Sequence, residues 1–241
     1  MSEREAEVKL KVWAEYACFT RPEFKVERVS YPVITPSAAR GVLEAIYWKP
    51  EIRYLIQCIK VLKQGTQTTI MRNEISSKQG SAPIVIEHEK QRQQRTSLIL
   101  KDVEYLIIAK MILRPHAKMA IENYLPQFVN RRDRGRCFCQ PYLGNREFTA
   151  DFSKPDGNET CDVTLKGRTI PLGKMLFDIG FIKTESVRKD FLYFRKQQHL
   201  GWSTVKGTRK AFFFDAVLEN GILNIPQGKY NELFRMEENY A

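Results

Sequence analysis

The 241-residue chain carries 39 Lys and Arg against 28 Asp and Glu, a formal net charge of +11, with 43% hydrophobic and 11% aromatic residues. This apolar content excludes a wholly disordered chain, and the length accommodates one large domain or two small ones. No apolar run approaches the roughly 18 residues that span a bilayer, and the polar opening Met1-Ser2-Glu3-Arg4-Glu5 holds no signal core, so the expectation is a cytoplasmic protein with no membrane partner and a polyanionic ligand.

Residues 8–16, Val-Lys-Leu-Lys-Val-Trp-Ala-Glu-Tyr, alternate apolar and polar side chains and predict a half-buried strand. A polar stretch broken by Pro22, Pro32 and Pro36 follows. It carries Arg21, Lys25 and Arg28, and reads as a basic loop or hairpin. The spacing predicts a helix over residues 36–48. Thr35 caps it, Pro36 fits its first turn and Pro50 stands beyond its end. Ala38, Val42, Ala45 and Ile46 share one face. Tyr47 falls away from the centre of that face and is available for something other than packing; Lys49 follows it.

Residues 51–63 predict a second strand. Residues 64–95 are polar and predict a long insertion with one hairpin, in which Ile84-Val85-Ile86 is the sole apolar run. Residues 98–113 supply strand material. A second helix is expected over 117–134, kinked or divided by Pro126, and ending in Arg131-Arg132-Asp133-Arg134-Gly135. From about residue 140 the pattern turns to short strands, at 179–181, 211–218 and 222–225, with Asn220-Gly221 as a hairpin signal. The predicted class is α+β. A ferredoxin-like (RNA-recognition-type) domain is expected over residues 1–140, and a smaller antiparallel β domain over 141–241.

The five cysteines, Cys18, Cys58, Cys137, Cys139 and Cys161, are odd in number and irregular in spacing, which fits reduced thiols. Cys137 and Cys139 lack the second ligand pair of a structural zinc site. Glu87-His88-Glu89 is the tightest acidic group and sits in the polar insertion without a carboxylate partner. Neither a nucleophile elbow nor a P-loop occurs. The sequence therefore implies no metal and no cofactor.

Basic residues gather in two places. Arg131, Arg132, Arg134, Arg136 and Arg146 surround Asp133. A second group spans residues 183–210 and is interleaved with Tyr193, Phe194, His199 and Trp202. Guanidinium forks match phosphates and aromatic faces stack on bases, so the pattern favours a nucleic acid; non-specific DNA would meet the same charge. RNA carries its own nucleophile, because its 2′-OH attacks the adjacent phosphorus once a base accepts the proton. A cation must steady the phosphorane and an acid must protonate the leaving oxygen. His116, Lys118 and Tyr47 are the groups at hand. Tyr47 acts as base only beside a cation, and otherwise orients or donates a proton.

Several long motifs carry a resemblance: residues 15–31 (Glu-Tyr-Ala-Cys-Phe-Thr-Arg-Pro-Glu-Phe-Lys-Val-Glu-Arg-Val-Ser-Tyr), 36–46 (Pro-Ser-Ala-Ala-Arg-Gly-Val-Leu-Glu-Ala-Ile), 72–78 (Arg-Asn-Glu-Ile-Ser-Ser-Lys), 92–95 (Arg-Gln-Gln-Arg) and 140–148 (Gln-Pro-Tyr-Leu-Gly-Asn-Arg-Glu-Phe). Together, and in this order, they resemble the CRISPR-associated Cas-five family, subtype I-C. The resemblance implies a metal-independent endoribonuclease that cuts the repeat stem-loop of CRISPR precursor RNA by 2′-OH attack. It further implies that the protein stays on the 5′ handle of the mature guide RNA, among the other subunits of the type I-C surveillance complex. The family's catalytic tyrosine falls on Tyr47. Its Lys-His pair falls on Asn123-Tyr124, a departure that leaves His116 and Lys118, a few residues upstream, or Tyr124 itself to supply the missing groups. RNA contacts are expected from Arg21, Lys25, Arg28, Lys49, Arg131, Arg132, Arg134 and Arg136. A non-catalytic subunit that only holds the RNA handle is the alternative.

Overall fold

The first strand, β1 (Glu5–Ala17), buries alternate residues, with Ala6, Val8, Leu10, Val12 and Ala14 facing the core. In the computed structural model, residues 4–24, 26–76, 80, 92–183, 191–197 and 201–238 are described, by backbone alone for 182–183, 191–197 and 201–207. After β1 the chain loops back through Thr20↔Ser30 and enters helix α1 (Pro36–Ile46). Thr35 caps α1 by accepting from the Ala38 N–H at 3.2 Å, as its position predicts. The helix ends two residues short of the expected span, because Tyr47 turns extended (φ −150°) and its N–H closes the last turn on Leu43.

Strand β2 (Ile52–Lys63) follows, then β3 (Thr66–Ile75) and the 22-residue β4 (Arg92–Leu113). The insertion thus holds the expected hairpin, with β3 paired to the first half of β4 from Thr66↔Lys101 to Ile75↔Arg92. Its strand character is faint in sequence because polar residues fall on both its faces and none of its residues is fully buried. The expected Ile84-Val85-Ile86 run and Glu87-His88-Glu89 lie outside the described residues. The second half of β4 lies between β1 and β2, antiparallel to both.

The expected helix over 117–134 is shorter. A 3-10 turn, Ile121–Asn123, leads to α2 (Leu125–Asp133). Pro126 starts the helix and does not kink it, because a missing N–H costs nothing in the first turn. Beyond it come β5 (Asp151–Ser153), β6 (Thr169–Lys183), β7 (Phe191–Gln197), β8 (Gly201–Glu219), β9 (Ile222–Asn224) and α3 (Gly228–Glu238). Asn220 and Gly221 both take positive φ, 51° and 79°, and close the β8–β9 hairpin as expected.

The protein is a mixed α/β structure dominated by one antiparallel sheet in the order β5-β1-β4-β2-β9-β8-β6, with β3 on β4 and β7 on β8. The β2–β9 pairing, Cys58↔Asn224 to Lys60↔Ile222, runs the sheet across both halves of the chain. Arg40 of α1 ties the halves again. It donates to both carboxylate oxygens of buried Asp178 on β6 at 2.8 Å, and to Glu44 at 2.7 Å. The motif at 140–148 is a packing device. Gly144 (φ 87°) lies so close to the Cys18 carbonyl that a Cβ would approach it to 1.9 Å, and the Cys18 N–H bonds Leu143 at 3.0 Å.

Candidate active site

The end of α1 is built from three directions. Tyr47 leaves the helix, Tyr54 rises from β2 to donate its hydroxyl to the Tyr47 carbonyl at 2.7 Å, and Arg131 reaches across from α2. The Arg131 Nη1 donates to the Ile46 carbonyl at 2.9 Å, so a cation caps the negative end of the helix. The same guanidinium lies 5.2 Å from the centre of the Tyr47 ring. Phe128 of α2 packs its ring 6.0 Å from that of Tyr54 and fills the space beneath.

Tyr47 is fully buried, and its hydroxyl hydrogen-bonds to no group among the described residues. Burial pushes its phenol above the ordinary range; Arg131 opposes that shift, while Tyr124 and Glu51 add to it. Tyr124, the residue that begins α2, is buried and raised as well, by burial first and then by Glu51. Both phenols are therefore neutral near pH 7, suited to donate or orient a proton.

Of the four expected catalytic residues, Tyr47 and Tyr124 come together. His116 and Lys118 are exposed on the loop after β4. That loop leans on the turn after α1, where the Arg114 N–H donates to Glu51 at 2.8 Å, but no hydrogen bond or ion pair ties either residue to Tyr47 among the described residues. Pattern reading missed Tyr54, Glu51 and Arg114. Tyr54 stands on the inward face of β2 with Ile52 and Ile56, a visible signal of burial that says nothing of what it meets. Arg114 carries a buried Nε without a partner, and burial lowers its pKa.

The expected RNA contacts fall into groups. Arg131 is committed to α1. Arg132 donates to the Lys9 carbonyl at 3.0 Å and to Asp133 at 2.7 Å. Arg134, Arg136 and Lys49 are exposed, without an ion pair among the described residues. Arg21 stacks on Tyr31 at 4.7 Å, and the Arg28 carbonyl accepts from Leu98. These two lie at the Leu98 end of β4, while the Tyr47 site lies at its Leu113 end, on the order of 45 Å away along an extended strand. Lys25 and the side chains of most of the 183–210 group lie outside the described residues. No group of three or more His, Cys, Asp or Glu that could hold a metal ion occurs among the described residues, nor does a helix long and apolar enough to cross a membrane.

A sequence profile described as CRISPR-associated protein (Cas_Cas5) matches residues 7–206. A CRISPR pre-crRNA endoribonuclease Cas5d of Thermus thermophilus is 50% identical over 236 residues, 98% of each chain. Its namesake from Mannheimia succiniciproducens is 37% identical over 91% of this chain and 94% of its own. A solved CRISPR-associated protein superimposes with a TM-score of 0.60 at 19% identity, covering 94% of each chain, and so shares the fold. Matched by that profile over residues 7–206 and by these relatives over more than nine-tenths of its length, the chain belongs to the Cas5d family of CRISPR-associated proteins.

Proposed function

We propose that the chain is a metal-independent endoribonuclease of CRISPR precursor RNA. The observation that carries this reading is the 50% identity over 98% of a CRISPR pre-crRNA endoribonuclease. In the proposed reaction a base takes the proton of a 2′-OH at the repeat stem-loop, and the 2′-oxygen bonds to the adjacent phosphorus. The P–O5′ bond breaks and the leaving 5′-oxygen receives a proton, leaving a 2′,3′-cyclic phosphate and a 5′-OH. Tyr47 and Tyr124, as neutral phenols, orient the reacting groups and supply protons. Lys118 steadies the charge on phosphorus and His116 accepts the 2′ proton, once RNA has drawn their loop towards Tyr47.

The enzyme works in the cytoplasm and stays on the 5′ handle of the mature guide RNA as a subunit of the type I-C surveillance complex. Its N-terminal portion, residues 1–140, is read as a ferredoxin-like domain followed by a smaller β domain over 141–241. The strand order β5-β1-β4-β2, with α1 and α2 in the connections, supports the ferredoxin-like reading, with edge strand β5 (Asp151–Ser153) contributed from beyond residue 140.

Cleavage of the cognate repeat RNA in excess EDTA tests the reading. The expected product ends in a 2′,3′-cyclic phosphate and disappears when the nucleotide before the cut carries 2′-deoxyribose. Tight binding with no product under any condition would leave the chain as a holder of the RNA handle. Equal affinity for an unrelated DNA duplex at physiological salt would make it a general polyanion binder.

A further inference from the structure

Phe138 exposes 80% of its surface, an uncommon placement for a large apolar ring. Its backbone is firmly held. The N–H groups of Phe138 and Cys139 both donate to the Ala45 carbonyl, at 2.9 and 3.1 Å. Just upstream, Gly135 turns the chain at φ 61° and the Arg136 N–H closes on Arg131 at 2.8 Å. The ring is thus presented on a fixed turn against the last turn of α1. Trp48, three residues after Ala45 and next to Tyr47, is 49% exposed. Lys49 follows Trp48 directly, and Arg134 and Arg136 precede Phe138 on the same turn; all three are exposed and without an ion pair among the described residues.

The combination points to one kind of occupant. The core of a protein–protein contact, rich in aromatic rings and arginine, is depleted of lysine and of charge overall. A single-stranded nucleic acid instead uses flat π surfaces for its bases together with cations spaced for its phosphates. We propose that Trp48 and Phe138 form a stacking platform for unpaired nucleobases of the RNA beside Tyr47, with Lys49, Arg134 and Arg136 on the intervening phosphates. This rests on the endoribonuclease reading and adds to it a means of positioning. Bases pinned beside the scissile step fix the angle between the 2′-oxygen and the P–O5′ bond, to which in-line attack is highly sensitive.

The test uses the full chain and the repeat RNA of its own CRISPR locus, with 2′-deoxyribose before the cut to block cleavage. 2-Aminopurine replaces each unpaired nucleotide flanking the stem, one at a time, and its fluorescence is quenched on stacking. Wild-type protein is expected to quench at one or two flanking positions. Phe138→Leu and Trp48→Leu should each relieve the quenching at one position and weaken binding about tenfold, equivalent to ~1.4 kcal/mol and within the range for one stacked base. Binding to the same stem trimmed of its unpaired flanks should stay the same, as should the melting temperature, since both rings are exposed.

Wild-type affinity and quenching in both variants would overturn the platform, and cleavage of the all-ribose repeat by the wild type would show that the endoribonuclease reading survives. An equal loss on the trimmed stem would also overturn it. So would variants that bind RNA normally but lose co-purifying protein subunits, which would assign the rings to a protein contact. A wild type that neither binds nor cuts the repeat would overturn the reading and the platform together.

Discussion

Tyr47 carries a hydroxyl that is enclosed and unpartnered. A buried donor left unsatisfied destabilises a fold by about 1–3 kcal/mol. Tyr47→Phe should therefore melt at the same temperature as the wild type or higher, while its single-turnover cleavage of repeat RNA falls by about 10²-fold or more. Cleavage at the wild-type rate in that variant would remove Tyr47 from the chemistry. Arg131 serves the same ring. It holds the end of α1 through Ile46 and places its charge over the Tyr47 face, so its first task is to seat the tyrosine. In the proposed complex, contact with phosphate falls to Arg134 and Arg136.

At the scale of elements, α1 is held near its middle by Arg40, whose fork grips Asp178 on β6. Breaking a buried pair by removing one partner costs about 3–5 kcal/mol. Asp178→Ala should lose that much in urea unfolding, and the joint replacement Arg40→Met with Asp178→Leu should recover most of it. A loss under about 1 kcal/mol for the single variant would mean that water substitutes for the pair. This tie was illegible in the sequence because its partners stand 138 residues apart. By contrast β1, α1 and β2 could be read directly, since each buries one face at its own period. Strand β3 was masked by polar residues on both faces. Helix α3 was missed although Tyr230, Leu233 and Phe234 follow a helical spacing. In the candidate site, Tyr47 and Tyr124 were marked by motif position. Their meeting with Tyr54, Glu51 and Arg131 depends on how α1, β2 and α2 pack, which no local pattern encodes.

For the whole molecule, the buried tyrosines set a limit at high pH. Burial raises Tyr31, Tyr47, Tyr54, Tyr105 and Tyr230 above their ordinary value. In the unfolded chain these phenols ionise near pH 10, before their folded counterparts do. The stability they contribute is complete below about pH 10 and is lost as pH rises beyond it. Thermal melts should be level from pH 8 to about 9.5 and fall steeply above pH 10; a melting temperature unchanged at pH 11 would contradict the burial of these rings. The +11 charge belongs to this scale too. Binding of repeat RNA should weaken steeply with salt, and Arg134→Ala and Arg136→Ala should each lower the slope of log affinity against log salt by about 1. Unchanged slopes would move the phosphates elsewhere.

The pairing of β2 with β9 also has a consequence for how the chain is born. The open edge of β2 beside Cys58 waits for residues 222–224, which leave the ribosome long after β2 does. Until then the first half of the sheet exists with bare backbone donors and acceptors, a template for strands of a neighbouring nascent chain. Synthesis that stalls before residue 222 should thus yield aggregates and no working half-protein. The order in which the gene is read makes completion of the sheet a checkpoint that is passed only once residues 222–224 have been made.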